Sequence, residues 1–578
     1  MMKQIYYAEP SYGRLRRKNG YLIDKTKYIA ELERINNPIY LRPRRFGKSF
    51  MCSLLEHYYD LRFKNKFDAL FGDTWIGQNP TGQQNQYMVL SLNFSTINPN
   101  DSISVIEKEF HKHCNRRLRL VRERYTALYE DIPPIDNKDT ASNNLHMLTT
   151  EIETWDLPPL FVTIDEYDNF ANQLIVNYQD NVYEKLTGKN SFFKTFFKVL
   201  KAGRETEAIE NVYITGILPM TIDDLASAFN VGTFLTLDPT FEAMAGFTQE
   251  EVDTLLDDIF EDHSLPATIR DEIDELIKTN YNGYHFVEFT EREKSTPVYN
   301  TTILMHFLRH LTEHRKVPTH LTDKNLKTDI DWVRRLATVE PKETKAFVDR
   351  LILQKQTPYN NLVLTDQFNI AQFFEKQFFP VSFFYLGLLT RLDPFYLTFP
   401  NLNMYEIFVE YFNEMHHLST ENNYAEAMEA FVRHPDLEAL FQCYWDVYIT
   451  QLPEQIFAQV NENFYRTTFY AICTQYLSQW FIWHVERSYP KGKSDLEFVG
   501  KHHEKFAGMH WVIEFKYYSK EKMRKEKVNL QTFEAKNEDL DQLRGYVEGL
   551  TAKYPEAQAS QFVIYCFANA GFRVFVVD

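Results

Sequence analysis

Short apolar runs alternate with stretches of helical spacing over the first third of the chain. Met88 to Phe94 (MVLSLNF), Leu160 to Ile164 (LFVTI) and Val212 to Thr215, with Gly216 behind it, are runs of strand length. Pro38 to Tyr58 reads as a short apolar strand, a tight loop ending Gly47-Lys48-Ser49, and a helix of apolar spacing. Strands alternating with helices predict an α/β fold, a parallel sheet with helices on both faces. Asp131 to Asn144, rich in Asn, Asp and Pro, predicts a surface loop. From about Phe247 to Asn401 the pattern turns helical, with helices expected over Glu250 to Phe260, Ile269 to Asn280, Thr302 to Thr312 and Thr344 to Leu353. After a further helical stretch, Phe464 onward reads as a helix, strands, a helix and two closing strands. The expected domains are a parallel-sheet domain over 1–240, a helical lid or adaptor over 241–455, and a closing α/β domain over 456–578.

Composition narrows the class. A chain of 578 residues with 44% apolar and 25% charged residues is long enough for several cores, and excludes a disordered or fibrous protein. Its most apolar stretch, Phe378 to Leu389, is broken by Pro380 and Ser382 and is too short to cross a bilayer. With no signal-peptide order at the N-terminus, a cytoplasmic address and no membrane contact are expected. Cys52, Cys114, Cys443, Cys473 and Cys566 are scattered and form no Cys-x-x-Cys pair, which points to reduced thiols. His111, His113 and Cys114 offer three metal ligands, but on a polar helix with no fourth nearby.

The formal charge of -17 repels polyanions, so contact with nucleic acid requires local basic patches. There are two. Arg116, Arg117, Arg119, Arg122 and Arg124 fall on a long helix and read better as a solvated face. Lys516, Lys520, Lys522, Arg524, Lys525 and Lys527 follow a strand near the C-terminus and read either way.

The strand, loop and helix around Gly47-Lys48-Ser49 have the layout of a phosphate cradle. Backbone NH groups and a helix N-terminus surround the β-phosphate, Lys48 reaches the β/γ oxygens, and the Ser49 hydroxyl holds Mg²⁺. The strict pattern wants Gly where this chain has Arg42. Downstream, the apolar strand of FVTIDEYDN (Phe161 to Asn169) ends in acids. There Asp165 is expected on the Mg²⁺, directly or through water, and Glu166 on the attacking water. A third strand ends at Thr215, the candidate sensor of the γ-phosphate.

At the C-terminus, HWVIEFKYY (His510 to Tyr518) predicts a strand on which Glu514 and Lys516, two apart, face one side. With Asp495 from KGKSDLEFVG on the adjacent strand, two carboxylates and an ammonium converge. Oxygen ligands of this kind suit a hard divalent cation, and the Lys can orient or deprotonate water for attack on a phosphodiester. The apolar residues around Glu514 argue against a solvated strand, because a buried carboxylate without partners is costly.

These residues carry a family resemblance. The chain resembles the bacterial AAA-ATPase-like proteins that end in a PD-(D/E)XK nuclease-superfamily domain. The marks are YLIDKT (Tyr21 to Thr26), RPRRFGKS (Arg42 to Ser49), IDEYD (Ile164 to Asp168) and ITGI (Ile214 to Ile217). In the middle they are YNGY (Tyr281 to Tyr284), VYN (Val298 to Asn300), YLGLLT (Tyr385 to Thr390) and FPNLNM (Phe399 to Met404). NENFY (Asn461 to Tyr465) resembles the first helix of the nuclease domain, and Asp495, Glu514 and Lys516 match the signature.

The resemblance implies an ASCE-type P-loop ATPase domain, a helical middle and a restriction-endonuclease-like α/β domain. It makes Arg42 part of the family's own loop, and Arg44, Arg45, Phe46, Gly47, Lys48 and Ser49, with Asp165 and Thr215, the ATP contacts. Ser49 and Asp165 would be Mg²⁺ ligands at that site, and Asp495 and Glu514 ligands of Mg²⁺ or Mn²⁺ at the other. Glu462 would be the outer acid, with Glu486 as its alternative, and Gln542 would face the site from the following helix. Ser494 stands where the name-giving Pro would be, a position that shapes the turn and ligates nothing. Arg204 is the candidate arginine finger.

The expected function is an ATPase that controls a C-terminal nuclease acting on DNA or RNA, in defence or mobile-element biology, with self-association left open. The alternative is a nucleotide-switched binding or assembly protein whose nuclease-like domain is a non-catalytic docking module. A third option is an ATPase that remodels a protein partner.

Overall fold

Four apolar runs in the first third bury both faces, which suits interior strands of a parallel sheet. The computed structural model describes residues 3–577 except 100–101, 131, 189, 220–228, 288–295, 322–329, 362–363, 365–367, 419–423, 502–503 and 555–556. In it β1 (Pro38–Leu41), β2 (Met88–Asn93), β3 (Leu160–Asp165), β4 (Ile209–Gly216) and a short β5 (Thr233–Phe234) form one sheet in the order β2-β3-β4-β1-β5. Every neighbouring pair is parallel. Strand β4 lies between β1 and β3, the ASCE-type order.

Helices α1 (Lys48–Tyr59), α2 (Ile103–Tyr125), α3 (Ala141–Thr154) and α4 (Phe192–Glu205) cover the sheet. Helix α2 buries Phe110, Cys114, Leu118, Val121 and Tyr125, a stripe of helical period that leaves its arginines outward or half-buried. The loop expected over Asp131 to Asn144 ends early, because the Thr140 hydroxyl accepts from Asn143 N and starts α3 at Ala141.

The middle region contains helices α5 (Gln249–Asp262), α6 (Arg270–Tyr281), α7 (Thr301–His314) and α8 (Pro341–Gln354), each within a few residues of its expected span. A small antiparallel sheet of β6 (Gln356–Pro358), β7 (Thr390–Arg391) and β8 (Tyr396–Thr398) also lies there. Strands of two or three residues are too short to show a period in sequence. Helices α5, α6 and α7 share a core of Leu256, Leu276 and Phe307 that also takes in Tyr21 and Ile482.

The C-terminal part opens on α9 (Glu462–Leu477), capped by Asn461. Strands β9 (Phe481–Val485), β12 (Leu496–Gly500), β13 (Met509–Tyr518), β14 (Gln558–Phe567) and β15 (Gly571–Val577) form a mixed sheet in the order β15-β14-β13-β12-β9, and β10 (Ser488–Tyr489) and β11 (Gly492–Lys493) make a hairpin. After β13 come the short α10 (Lys520–Lys525) and then α11 (Asn537–Lys553), which carries the crossover to the parallel strand β14. Along β13, Trp511, Ile513 and Phe515 enter the main core, while Val512 and Tyr518 pack with α11. Glu514 and Lys516 share the second face.

Candidate active sites

Ligands of open parallel sheets collect at the carboxyl ends of the strands. There β1 stops at Leu41 and the chain turns through Arg42 to Gly47 before α1 starts at Lys48. Gly47 takes a left-handed φ of 96°, and so does Arg45 at 71°. For Arg45 that costs about 1–3 kcal/mol and persists only where neighbours enforce it. Thr301 Oγ1 and Thr302 Oγ1 both donate to its carbonyl, at 2.9 and 3.0 Å.

The Lys48 ammonium, buried and lowered in pKa by that burial, donates to the carbonyls of Arg42 and Pro43 at 2.8 Å each. Ser49 Oγ donates to Asp165 Oδ2 at 2.7 Å, and Asn93 Nδ2 donates to the same oxygen at 3.0 Å. Burial pushes the Asp165 carboxyl up to about 6, and its Oδ1 has no partner among the described residues. Hydroxyl and carboxylate thus stand together with one acceptor unused, which fits a small cation. Glu166, at a left-handed φ of 50°, lines a cleft of about 500 Å³ together with Lys48, Ser49, Arg44 and Arg45. Tyr7, Ile23 and Met305 form part of its apolar wall. Thr215 is fully buried at the end of β4, its hydroxyl unpartnered among the described residues.

The remaining loop residues face inward. The Arg42 guanidinium stacks between Tyr40 and Phe286, 4.5 and 4.4 Å from their centroids, and donates to Thr236 O at 2.7 Å. Phe46 packs edge-on against Tyr284, with centroids 4.8 Å apart. The middle motifs close around the same loop. Asn300 Nδ2 donates to Arg44 O at 3.3 Å, and Gly387 sits so near Pro43 that a Cβ there would strike the Pro43 ring. Asp168 serves the frame. Its Oδ2 accepts from Ile217 N at 3.0 Å and Leu218 N at 2.7 Å, tying the exit of β3 to that of β4.

At the second site, Asp495 directly precedes β12 and its Oδ2 accepts from Phe515 N at 2.8 Å, which sets it beside Glu514 on β13. Lys516 Nζ donates to Glu514 Oε1 at 2.8 Å and to Gln542 Oε1, on α11, at 3.2 Å. Glu514 Oε2 is buried without a partner among the described residues. Burial first, then the Asp495 charge, raises the Glu514 carboxyl well above its ordinary range. The same two causes push Glu462, in the first turn of α9, up to about 7. Burial opposes the Lys516 charge, but the Glu514 carboxylate outweighs it and keeps the ammonium protonated.

Two raised acids, Glu462 and Glu514, beside Asp495, with one Glu514 oxygen unused, fit a divalent cation that would favour their charged forms. Among the described residues, no three His, Cys, Asp or Glu side chains form a metal cage by themselves. A cation held by Asp495 and Glu514 would therefore take the rest of its oxygen shell from water and substrate.

Residues 7–226 match the model of a family described as predicted AAA-ATPase, and residues 460–575 match that of the PD-(D/E)XK nuclease superfamily. The chain joins an AAA-ATPase-like domain to a PD-(D/E)XK nuclease-superfamily domain. No curated protein matches it.

In the nuclease-superfamily domain, sequence reasoning passed over Arg466. One turn along α9 from Glu462, it donates through Nη1 to Asp495 Oδ1 at 2.8 Å and through Nη2 to Glu486 Oε1 at 2.5 Å. Lys355, just after α8, donates to the same Glu486 oxygen at 2.8 Å. Despite burial, Lys355 and Arg466 hold the Glu486 carboxyl down at about 2, so this alternative outer acid is committed to two cations. Asp539 was also missed. It stands 3.8 Å from Lys516 Nζ and is hydrogen-bonded to Tyr565. Their spacing on helices, four from Glu462 and three from Gln542, was the available signal.

Ser494, in the place of the name-giving Pro, donates through Oγ to Glu497 at 2.6 Å. In the AAA-ATPase-like domain, Arg204 lies at the amino end of β4, the opposite end of the strands from the phosphate loop. Helix α4 leads into the start of β4, and the Arg204 Nη1 donates to Ile209 O at 2.8 Å.

Proposed function

We propose that ATP binding and hydrolysis in the AAA-ATPase-like domain control metal-dependent cleavage of DNA or RNA phosphodiesters by the C-terminal domain. The observation that supports it most is the convergence of Asp495, Glu514 and Lys516 at one point, with Glu514 Oε2 unused.

In this reading Lys48 exchanges its two loop carbonyls for the β/γ-phosphate oxygens. Ser49 and Asp165 would hold Mg²⁺ and Glu166 polarises the attacking water, while Thr215, fully buried and outside the cleft lining, could sense the γ-phosphate only after a rearrangement of the end of β4. Arg44 and Arg45 line the same cleft as Lys48 and Ser49, and the inward-turned Phe46 fixes the loop. At the other site Asp495 and Glu514 hold Mg²⁺ or Mn²⁺. A cation there would supply charge neutralisation at the scissile phosphate and a more acidic bound water. Lys516, kept charged by Glu514, orients water and phosphate rather than removing a proton, and Gln542 and Asp539 keep its ammonium in place. Glu462 closes the site as outer acid.

Control is supported by the helices between the sites. Helix α7 holds the Arg44 and Arg45 carbonyls at its start, and it shares a core with α6 and Ile482 of β9. From α6, Glu275 accepts from Arg487 at 2.6 Å, and Arg487 in turn pairs with the buried Glu497 on β12, two residues beyond Asp495. Purified wild type and Lys48→Ala, given Mg²⁺ and mixed nucleic acids with and without ATP, test the coupling. Cleavage that responds to ATP in wild type only is expected; identical ATP responses would refute it.

One observation favours the rival reading, a nucleotide-switched docking protein. The Arg466 guanidinium already pairs with Asp495 at 2.8 Å, occupying an oxygen that a cation would otherwise take. That reading expects Asp495→Ala to keep full biological activity while Lys48→Ala loses it.

A further inference from the structure

Strand β13 continues past Glu514 and Lys516 to Tyr518 on the same face, and Ser519 caps the short helix α10. The Lys522 ammonium lies 3.9 Å from the Tyr518 ring centroid, and that of Lys536 lies 5.3 Å from it on approach from the start of α11. Lys520, Arg524, Lys525 and Lys527 are exposed on or just after α10, with Glu521 and Glu526 as the acids among them. Lys520 pairs with Glu454 and Lys536 with Glu526, both as surface pairs that dissociate readily.

Exposed positive charge thus collects on and just after α10, two residues beyond the strand that carries Glu514 and Lys516, in a chain whose net charge is -17. Such a concentration repels cations and attracts a polyanion against the field of the whole molecule. Its direct continuity with the acids that would cut selects the partner. An acidic protein has no reason to align with Glu514, whereas a nucleic-acid strand held there carries further phosphates toward the exposed cations of α10.

We propose that α10, with Lys527 and Lys536, is the phosphate-backbone platform of the nuclease-superfamily domain, gripping the nucleic-acid strand beside the scissile phosphate. This rests on the nuclease reading above. Contacts to phosphate carry no sequence information, so the platform sets affinity and register, not sequence preference.

The test is fluorescence anisotropy of labelled duplex DNA, single-stranded DNA and RNA on full-length protein in EDTA, titrated with salt so that binding is read without cleavage. The variant Lys522→Gln/Arg524→Gln/Lys525→Gln/Lys527→Gln is expected to lose about tenfold or more in affinity. Its salt slope should fall by roughly 0.7–0.9 for each phosphate contact removed. Its melting temperature and ATP binding should match wild type. Glu521→Gln/Glu526→Gln is expected to bind more tightly.

Unchanged affinity and slope in the first variant would overturn the platform, as would a wild type that binds none of the three probes. A wild type that binds through these residues but cleaves nothing with Mg²⁺ or Mn²⁺ would leave the platform standing and remove the nuclease reading. A variant that binds nucleic acid normally yet loses an acidic protein partner would reassign the patch to that partner.

Discussion

His113 shows how one half-buried side chain makes stability depend on pH. Burial, then the charges of Arg117 and Arg116, lowers its pKa to about 4. An imidazole kept neutral in the fold binds its proton more readily once unfolded. Its contribution is therefore present above the ordinary value near 6.5 and is lost as pH falls towards 4. The loss cannot exceed about 1.4 kcal/mol per pH unit. Thermal unfolding of His113→Gln against wild type at pH 7 and pH 5 is expected to show a smaller fall in the variant; equal falls would contradict it. Juxtaposition was legible from the motifs: Ser49 bonds Asp165, and Lys516 bonds Glu514 beside Asp495. It was not legible at Arg42, since no one-dimensional pattern says that a guanidinium beside a phosphate loop will stack between Tyr40 and Phe286.

At the level of elements, the helices and strands with a clear period were readable, and α5 to α8 fall close to their expected spans. The middle motifs were readable only as kinship, because their partners lie hundreds of residues away. Gly387 lies against Pro43, and Asn300 both caps α7 and donates to Arg44 O. Asn300→Ala should cost about 1 kcal/mol through the lost cap. It should also weaken ATP binding measured by calorimetry, whereas an Ala at an ordinary cap would lower the melting temperature alone. Gly387→Ala forces a Cβ into the Pro43 ring and is expected to disturb the same loop. Full ATP affinity in a folded Gly387→Ala protein would show that this contact does not shape the site.

Across the whole molecule, the helical middle is the connection the sequence could name but not explain. Glu275 of α6 reaches Arg487, and Lys355 after α8 reaches Glu486, so two separate contacts lead from the middle region to the neighbourhood of Asp495. Glu275→Gln keeps the shape but weakens the charged contact, and Arg487 retains Glu497. It is expected to leave ATP binding and ATP-free cleavage near wild type while reducing the ATP response severalfold; an unaltered response would exclude this route.

In the proposed function, the carboxylates of the C-terminal sheet hold the cation that cuts nucleic acid. The most direct measurement of this is cleavage of end-labelled DNA and RNA by full-length protein with ATP and Mg²⁺ or Mn²⁺, comparing wild type with the near-isosteric Glu514→Gln. Cleavage by wild type and its loss in a folded, ATP-binding Glu514→Gln is the predicted result. Equal cleavage by the two proteins, or none by wild type, would contradict it.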